Sequence, residues 1–205
     1  MSNHPKLFVV GPQPVLDTER LVLRPYAEAD LEPMADMFGD PAVTAYTFLG
    51  RRDREQTAVV LGEYMSFLAA NGYGMLAILD RHTGAYLGEV GLFVAPMGPL
   101  ALRYALARSG WGRGYAVEAS AAVLDDAFGR LRLESLLAGV KFENRPSIRV
   151  MEKLGFTYLE TLTEAGHTFG LFRMTAAEWA ARMRAQAGAV PEAANMTRLP
   201  SGSST

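Results

Sequence analysis

The segment Leu106-Ala107-Arg108-Ser109-Gly110-Trp111-Gly112-Arg113-Gly114-Tyr115-Ala116 sets three glycines at alternate positions between a strand-like run and an apolar helix. Glycine has no Cβ, so successive backbone N–H groups can converge on one point. The helix start adds unpaired donors and about half a positive charge. Together these make a phosphate cradle, best suited to a pyrophosphate. The plain alternative is a tight turn whose glycines serve packing. No Lys-Ser/Thr pair follows, as a P-loop needs, and no acidic residue ends the next strand at Rossmann spacing. Nucleotide hydrolysis and dinucleotide redox chemistry are therefore disfavoured.

A second segment, Asn144-Arg145-Pro146-Ser147-Ile148-Arg149-Val150-Met151-Glu152-Lys153-Leu154-Gly155-Phe156, reads as a capped helix. Asn144 sits where an N-cap belongs and Pro146 falls in the first turn. Taken alone, Asn144 is a cap and Ser147 a surface polar residue. In Tyr86-Leu87-Gly88-Glu89-Val90-Gly91-Leu92, alternation puts Leu87, Glu89, Gly91 and Phe93 on one face and Tyr86, Gly88, Val90 and Leu92 on the other. A carboxylate among apolar neighbours is costly unless a cleft opens there.

The elements that must carry these residues follow from periodicity. Residues 1–19 form an extended arm, and Arg20–Pro25 a first strand that stops at proline. Ala27–Phe38 has helical spacing and is closed by Asp40-Pro41; Asp53–Asn71 is a longer helix with Gly72 as its C-terminal cap. Tyr73–Leu79 and Tyr86–Val94 form a hairpin across an Asp80–Gly84 turn. Strand Leu100–Ala107, a helix to Phe128, strand Glu134–Val140 and helix Arg145–Leu154 come next. A final hairpin, Phe156–Leu162 and His167–Met174, precedes a helix capped by Thr175 with Glu178 as its box partner. The outcome is an α/β (α+β) sandwich around a mixed sheet. The domain spans 17–187, after an N-terminal arm (1–16) and before a Gly/Pro/Ser-rich tail (188–205) expected to be flexible.

Composition narrows the classes. At 205 residues the chain suits one core with appendages. A net charge of −2 excludes a polybasic nucleic-acid binder working by bulk charge. The absence of cysteine removes disulfides, thiolate nucleophiles and Cys-based zinc sites, and His4, His82 and His167 are too scattered for a metal cluster, so no metal is expected. No run approaches the ~18 apolar residues of a membrane span, and the Leu7–Val10 stub is too short for a signal peptide. A cytoplasmic protein without membrane contact is the expectation.

In combination, the two segments resemble the GNAT superfamily of acetyl-CoA-dependent N-acetyltransferases. The opening TERLVLRPYAEAD and the hairpin TGAYLGEVGL resemble the Rim-type ribosomal-protein alanine acetyltransferase branch. The four motifs keep the family's order over about residues 17–180. The resemblance implies a GNAT-like fold, a mixed and mostly antiparallel sheet splayed at its centre with helices on both faces. It implies acetyl-CoA as co-substrate, an amine acceptor (peptide N-terminus or small molecule), no direct nucleic-acid partner, and it allows a homodimer. Backbone around Leu106 and Ala107 would meet the pantetheine arm; the family's Q/R-x-x-G-x-G/A pattern falls on Ser109, Gly112 and Gly114, and the amides of Arg113, Gly114, Tyr115 and Ala116 would hold the pyrophosphate. Asn144 would contact the pantetheine and Ser147 would lie near the thioester sulfur. Arg113, Arg149 or Lys153 would meet the 3′-phosphate.

Departures from the family pattern bear on the chemistry. Ser109 replaces a usual Gln or Arg, and Met151 stands where many relatives place a tyrosine acid. Ala101 stands where the branch often has a carboxylate, and Arg103 replaces a frequent glycine. Acetyl transfer needs a neutral amine, so a proton must leave it. Glu89 is the leading candidate base, Ser147 the candidate proton donor to sulfur, and Tyr104 a further acid; His167 would border the acceptor pocket. Glu118 is expected to complement the charge of its helix start. Transfer by proximity alone, without a strong base, is the alternative mechanism. The alternative function is a catalytically weak acyl-CoA-binding or protein-interaction module on the same fold.

Overall fold

The computed structural model describes residues 15–47, 50–94, 100–164 and 166–188. Two short strands, β1 (Leu16–Asp17) and β2 (Leu21–Arg24), come first, then helices α1 (Leu31–Gly39), α2 (Pro41–Thr44) and α3 (Arg54–Asn71). Strands β3 (Met75–Asp80), β4 (Tyr86–Val94) and β5 (Leu100–Leu106) build the antiparallel middle. Helix α4 (Tyr115–Gly129), strand β6 (Ser135–Lys141) and helix α5 (Arg145–Leu154) lead to the hairpin β7 (Thr157–Glu164) and β8 (His167–Thr175). Helix α6 (Ala176–Gly188) ends the described chain. The sheet runs β1-β2-β3-β4-β5-β6-β8-β7, and only the β5–β6 neighbours are parallel.

That parallel contact governs the rest. β5 and β6 share one register pair, Ala101 with Leu137, and then diverge. The mixed, mostly antiparallel sheet opened at its centre is the architecture expected. Helices cover both faces. On one side Val123 and Leu124 of α4 and Met151 and Leu154 of α5 bury against Leu87, Val90 and Leu92. On the other, Met34 and Phe38 of α1 and Val60 and Leu61 of α3 bury against Met75 and Ala77. No helix among the described residues is long and apolar enough to cross a membrane.

Local signals set most boundaries. Asp53 accepts from the Gln56 amide at 2.8 Å while Gln56 accepts from the Asp53 amide at 3.1 Å, a reciprocal cap that starts α3. Gly72, at φ 71°, ends it. Asn144 and Gly155 bracket α5, and Thr175 with Glu178 opens α6.

Three expectations need correction. The helix over 27–38 is split, with a 3₁₀ turn at Glu28–Asp30 before α1. Asp30 is buried there, takes the Ala27 amide at 2.8 Å and is held by both Nη atoms of Arg24 at 2.7 and 2.8 Å, which pins the turn. Asp40-Pro41 closes α1 as expected, with Asp40 as its C-cap, and Asp40 also accepts from the Ala42 amide at 2.8 Å to start the short α2. The face assignment of β4 also changes. The β3–β4 register slips between Ile78 and Leu79, so Leu87 joins Val90 and Leu92 in one core while Tyr86 packs in the other, on the side of Glu89. A bulge inserts one residue and inverts the alternation N-terminal to it. Part of the expected arm, Leu16–Asp17, is instead an edge strand on β2. The rest of the arm, the Ala95–Pro99 loop and the tail beyond 188 lie outside the described residues.

Candidate active site

The glycine turn opens α4 without a side-chain cap. Gly112 and Gly114 have φ of 73° and 81°, and Gly114 is the N-cap residue. With no capping oxygen, the first amides of the helix stay open to a ligand. The loop is braced from behind by Arg20. Its Nη1 donates to the Arg113 carbonyl at 2.9 Å, its guanidinium lies 4.8 Å over the Tyr115 ring, and Nη2 pairs with Glu118 at 2.6 Å. Glu118 also accepts from the Thr18 hydroxyl at 2.6 Å and the Arg20 amide at 2.9 Å. The carboxylate expected only to complement the helix charge is thus the anchor of the β1–β2 turn.

Beyond Ala101 the edge of β5 faces a cleft of about 910 Å³ between β5, β6, α4 and α5. The Ala107 amide is engaged by the Leu87 carbonyl at 2.9 Å, on the β4 side. The Leu106 carbonyl instead accepts the Trp111 indole N–H at 2.8 Å. Leu106, Gly112, Gly114, Tyr115 and Ala116 line the cleft; Ala107 and Arg113 do not. Arg149 and Lys153 line it from α5.

Deeper in, the Tyr104 hydroxyl donates to Ser147 Oγ at 2.9 Å, joining the two candidate donors into a pair. Burial pushes the Tyr104 phenol up to about 12, with the Ser147 bond acting in the other direction, so it stays protonated across the neutral range. Ser147, having accepted, keeps its own O–H for a further acceptor. Asn144 Oδ1 caps α5 through the Ser147 amide at 3.1 Å, which leaves its NH₂ without a partner among the described residues, and both side chains line the cleft. Met151 is 1% exposed and belongs to the core.

Glu89 also lines the cleft, yet it is 1% exposed and not solitary. Arg103 Nη2 pairs with Glu89 Oε1 at 2.8 Å and also donates to the Tyr64 hydroxyl. Tyr26 donates to Glu89 Oε2 at 3.3 Å and bonds Tyr86 at 2.9 Å. Burial raises the Tyr64, Tyr26 and Tyr86 phenols well above the ordinary range. Arg103, Tyr64 and Arg20 were not singled out as functional from sequence. Arg103 was within reach of that analysis: pairing of β4 and β5 sets Glu89 opposite Ala105 and Arg103 opposite Gly91, so the two charges are diagonal neighbours on one face. Arg20 and Glu118, 98 residues apart, left no such signal.

Of the remaining candidates, His167 lines the cleft from β8. The Arg51, Arg52, Arg54 cluster borders a shallower hollow of about 520 Å³, where Arg54 is paired with Glu32 at 2.6 Å. Among the described residues no group of acids and histidines is placed to hold a metal ion.

A splayed sheet with an uncapped glycine-turn helix beside the gap is the architecture of an acyltransferase. Residues 20–157 match the acetyltransferase (GNAT) domain family, and the chain belongs to it. It is 30% identical over 144 residues to an uncharacterized N-acetyltransferase, p20, of Bacillus licheniformis, covering 69% of this chain and 81% of that one. The acetyltransferase of Agrobacterium tumefaciens strain C58 is 32% identical in sequence with a TM-score of 0.70, over 81% of this chain and 96% of its own. Spermidine N-acetyltransferase of Vibrio cholerae, solved with CoA and spermine, shares the fold at TM-score 0.69 and 17% identity, over 80% of this chain and 99% of its own.

Proposed function

We propose that the protein transfers an acetyl group from acetyl-CoA to the nitrogen of a primary amine by direct attack in a ternary complex. The observation that carries this is the cleft itself, with open helix-start amides at one end and the Tyr104–Ser147 pair inside it. The uncapped amides and the positive φ of Gly112 and Gly114 fit a pyrophosphate, and the unpaired edge of β5 fits an amide-bearing arm. Arg149 and Lys153, which line the cleft from α5, would meet a further phosphate. Acetyl-CoA, when bound, supplies the activated acyl group. A C–N bond forms, the C–S bond breaks, and the proton lost by the amine ends on sulfur. Asn144 NH₂ orients the arm, and the Ser147 hydroxyl, backed by Tyr104, donates a hydrogen bond toward the departing sulfur.

Glu89 is 1% exposed and both its oxygens are engaged, Oε1 by Arg103 and Oε2 by Tyr26. We therefore favour transfer by proximity, with the amine entering neutral and Glu89 holding Arg103 in place. Ser147→Ala and Tyr104→Phe should each lower kcat by about tenfold, with the double variant close to either single one because the pair acts as a unit. Steady-state kinetics at saturating acetyl-CoA check this.

Calorimetry of acetyl-CoA binding tests the whole proposal. Gly114→Trp places a bulky side chain at a left-handed N-cap, 3.5 Å from Arg20 Nη2 at the Cβ, and should weaken binding by about 100-fold or more while the fold survives. Unchanged binding would sink the assignment of the cradle. Tight binding without turnover of any amine would instead favour a non-catalytic acyl-CoA-binding module.

A further inference from the structure

Beside Glu89 the cleft holds a cation whose donors are mostly unengaged. Arg103 lines the cleft beside Glu89 and Phe93, and its side chain is 21% exposed. A guanidinium carries five N–H donors. Nη2 serves Glu89 and Tyr64, Nε is buried with no partner, and Nη1 makes no hydrogen bond among the described residues. Leaving a buried donor unmet is costly and calls for a reason.

The surrounding field has the same sign. The Arg52 guanidinium sits 5.6 Å over the ring of Phe38, which lines the cleft, and acts electrostatically on the same Tyr64 that Arg103 touches. Its Nη1 is buried and unpartnered as well. Arg52 itself lines the neighbouring hollow rather than the cleft. Along the rest of the cleft, Lys141, Arg149 and Lys153 are basic, and Glu89 is the sole acid among the described lining residues. The aromatic rings of Tyr64 and Phe93, 5.4 and 5.5 Å from the Arg103 carbon, fix its plane.

We propose that Arg103 reads a carboxylate on the acceptor, so that the preferred substrates are primary amines carrying a free carboxylate near the amine. The inference rests on the acetyl-transfer reading and names its substrate class. A carboxylate oxygen takes Nη1, a charge-assisted bond in a partly desolvated site. A polyamine finds no unengaged acid among the described lining residues to receive its second ammonium. The carboxylate can belong to a free amino acid or to an acidic side chain near a peptide's N-terminus.

The test compares kcat/KM for free L-amino acids, their carboxamides, a linear diamine, and C-terminally amidated dipeptides with aspartate or lysine second. α-Amines of carboxamides are less basic, so chemistry alone favours them at neutral pH. We expect the opposite order, with carboxylates ahead by about 10- to 100-fold. The two sources of carboxylate separate in the free amino acid and aspartyl dipeptide arms. Arg103→Gln should bring the ratio to within about threefold and Arg103→Lys should retain part of it. Because Arg103→Gln orphans Glu89, it is also made with Glu89→Gln, and folding is checked by circular dichroism and acetyl-CoA binding. Equal rates for carboxylates and carboxamides in the native protein overturn the proposal, as does a preference that survives Arg103→Gln. Acetyl-CoA binding without turnover of any amine overturns the acetyl-transfer reading, and this inference with it.

Discussion

Gly88→Ala should lower the melting temperature by about 10 °C and remove measurable acetyl-CoA binding at the same time. A Cβ at Gly88 would lie 2.2 Å from the Ala105 carbonyl oxygen and 2.8 Å from the Leu106 Cα, both backbone atoms. Its φ of +147° is itself ill suited to an L side chain. Neither contact can be relieved by turning a side chain, so β5 must shift away from β4. Overpacking of this kind with backbone strain costs about 3–5 kcal/mol. The strand that shifts is the one whose edge faces the cleft, and that links a stability defect to a binding defect. Thermal unfolding and calorimetry on the same preparation check both. Gly62→Ala is the control: it lies inside α3 with nothing within 4 Å of the new Cβ, and should raise stability by about 0.5–1 kcal/mol. A Gly88→Ala protein as stable as the parent would show that the two strands can part without cost.

Glu89→Ala should destabilise the fold by about 2–4 kcal/mol while leaving kcat within about tenfold. The loss comes from Arg103, which keeps its charge in a site that no longer balances it. The figure sits at the low end for a broken buried pair because Arg103 is partly open to the cleft. A double substitution, Glu89→Leu with Arg103→Met, removes both charges and should recover most of the stability. Denaturant unfolding measures the first effect, and pH–rate profiles of Glu89→Gln the second. A folded Glu89→Gln enzyme slowed more than about 100-fold, with the acidic limb of its profile gone, would restore Glu89 as the base.

Much of this site was legible because its signals are local. The glycine turn, the Asn144 cap with Pro146 behind it, the Gly72 cap and the Thr175–Glu178 box each lie within a few residues, and each formed as sequence periodicity and capping chemistry require. The failures share a different cause. The bulge ahead of Gly88 adds one residue to one strand, and alternation counted along that strand cannot register it, so Leu87 was set on the Glu89 face. The split before α1 depends on Arg24 reaching Asp30 from the end of β2, a pair whose meaning comes from burial. The brace of Arg20 on Glu118 and Arg113 is a tertiary contact without a local pattern. Glu89 lines the cleft, and its engagement by Arg103 becomes legible only once β4 and β5 are put in register.

The Arg20 brace also sets a hierarchy of opening within the native state. The glycine loop is held from behind by a residue in the turn between β2 and the two-residue β1 at the sheet's edge. Edge elements with few backbone bonds open at lower free energy than a buried core. When that edge frays, Arg20 leaves the Arg113 carbonyl and the helix-start amides lose their common aim, though α4 still packs through Val123 and Leu124. Under the proposed function, phosphate binding should therefore be lost by sub-global opening, in denaturant too dilute to melt the sheet, and amide exchange around Gly114 should report on the turn between β1 and β2 rather than on the helix it caps.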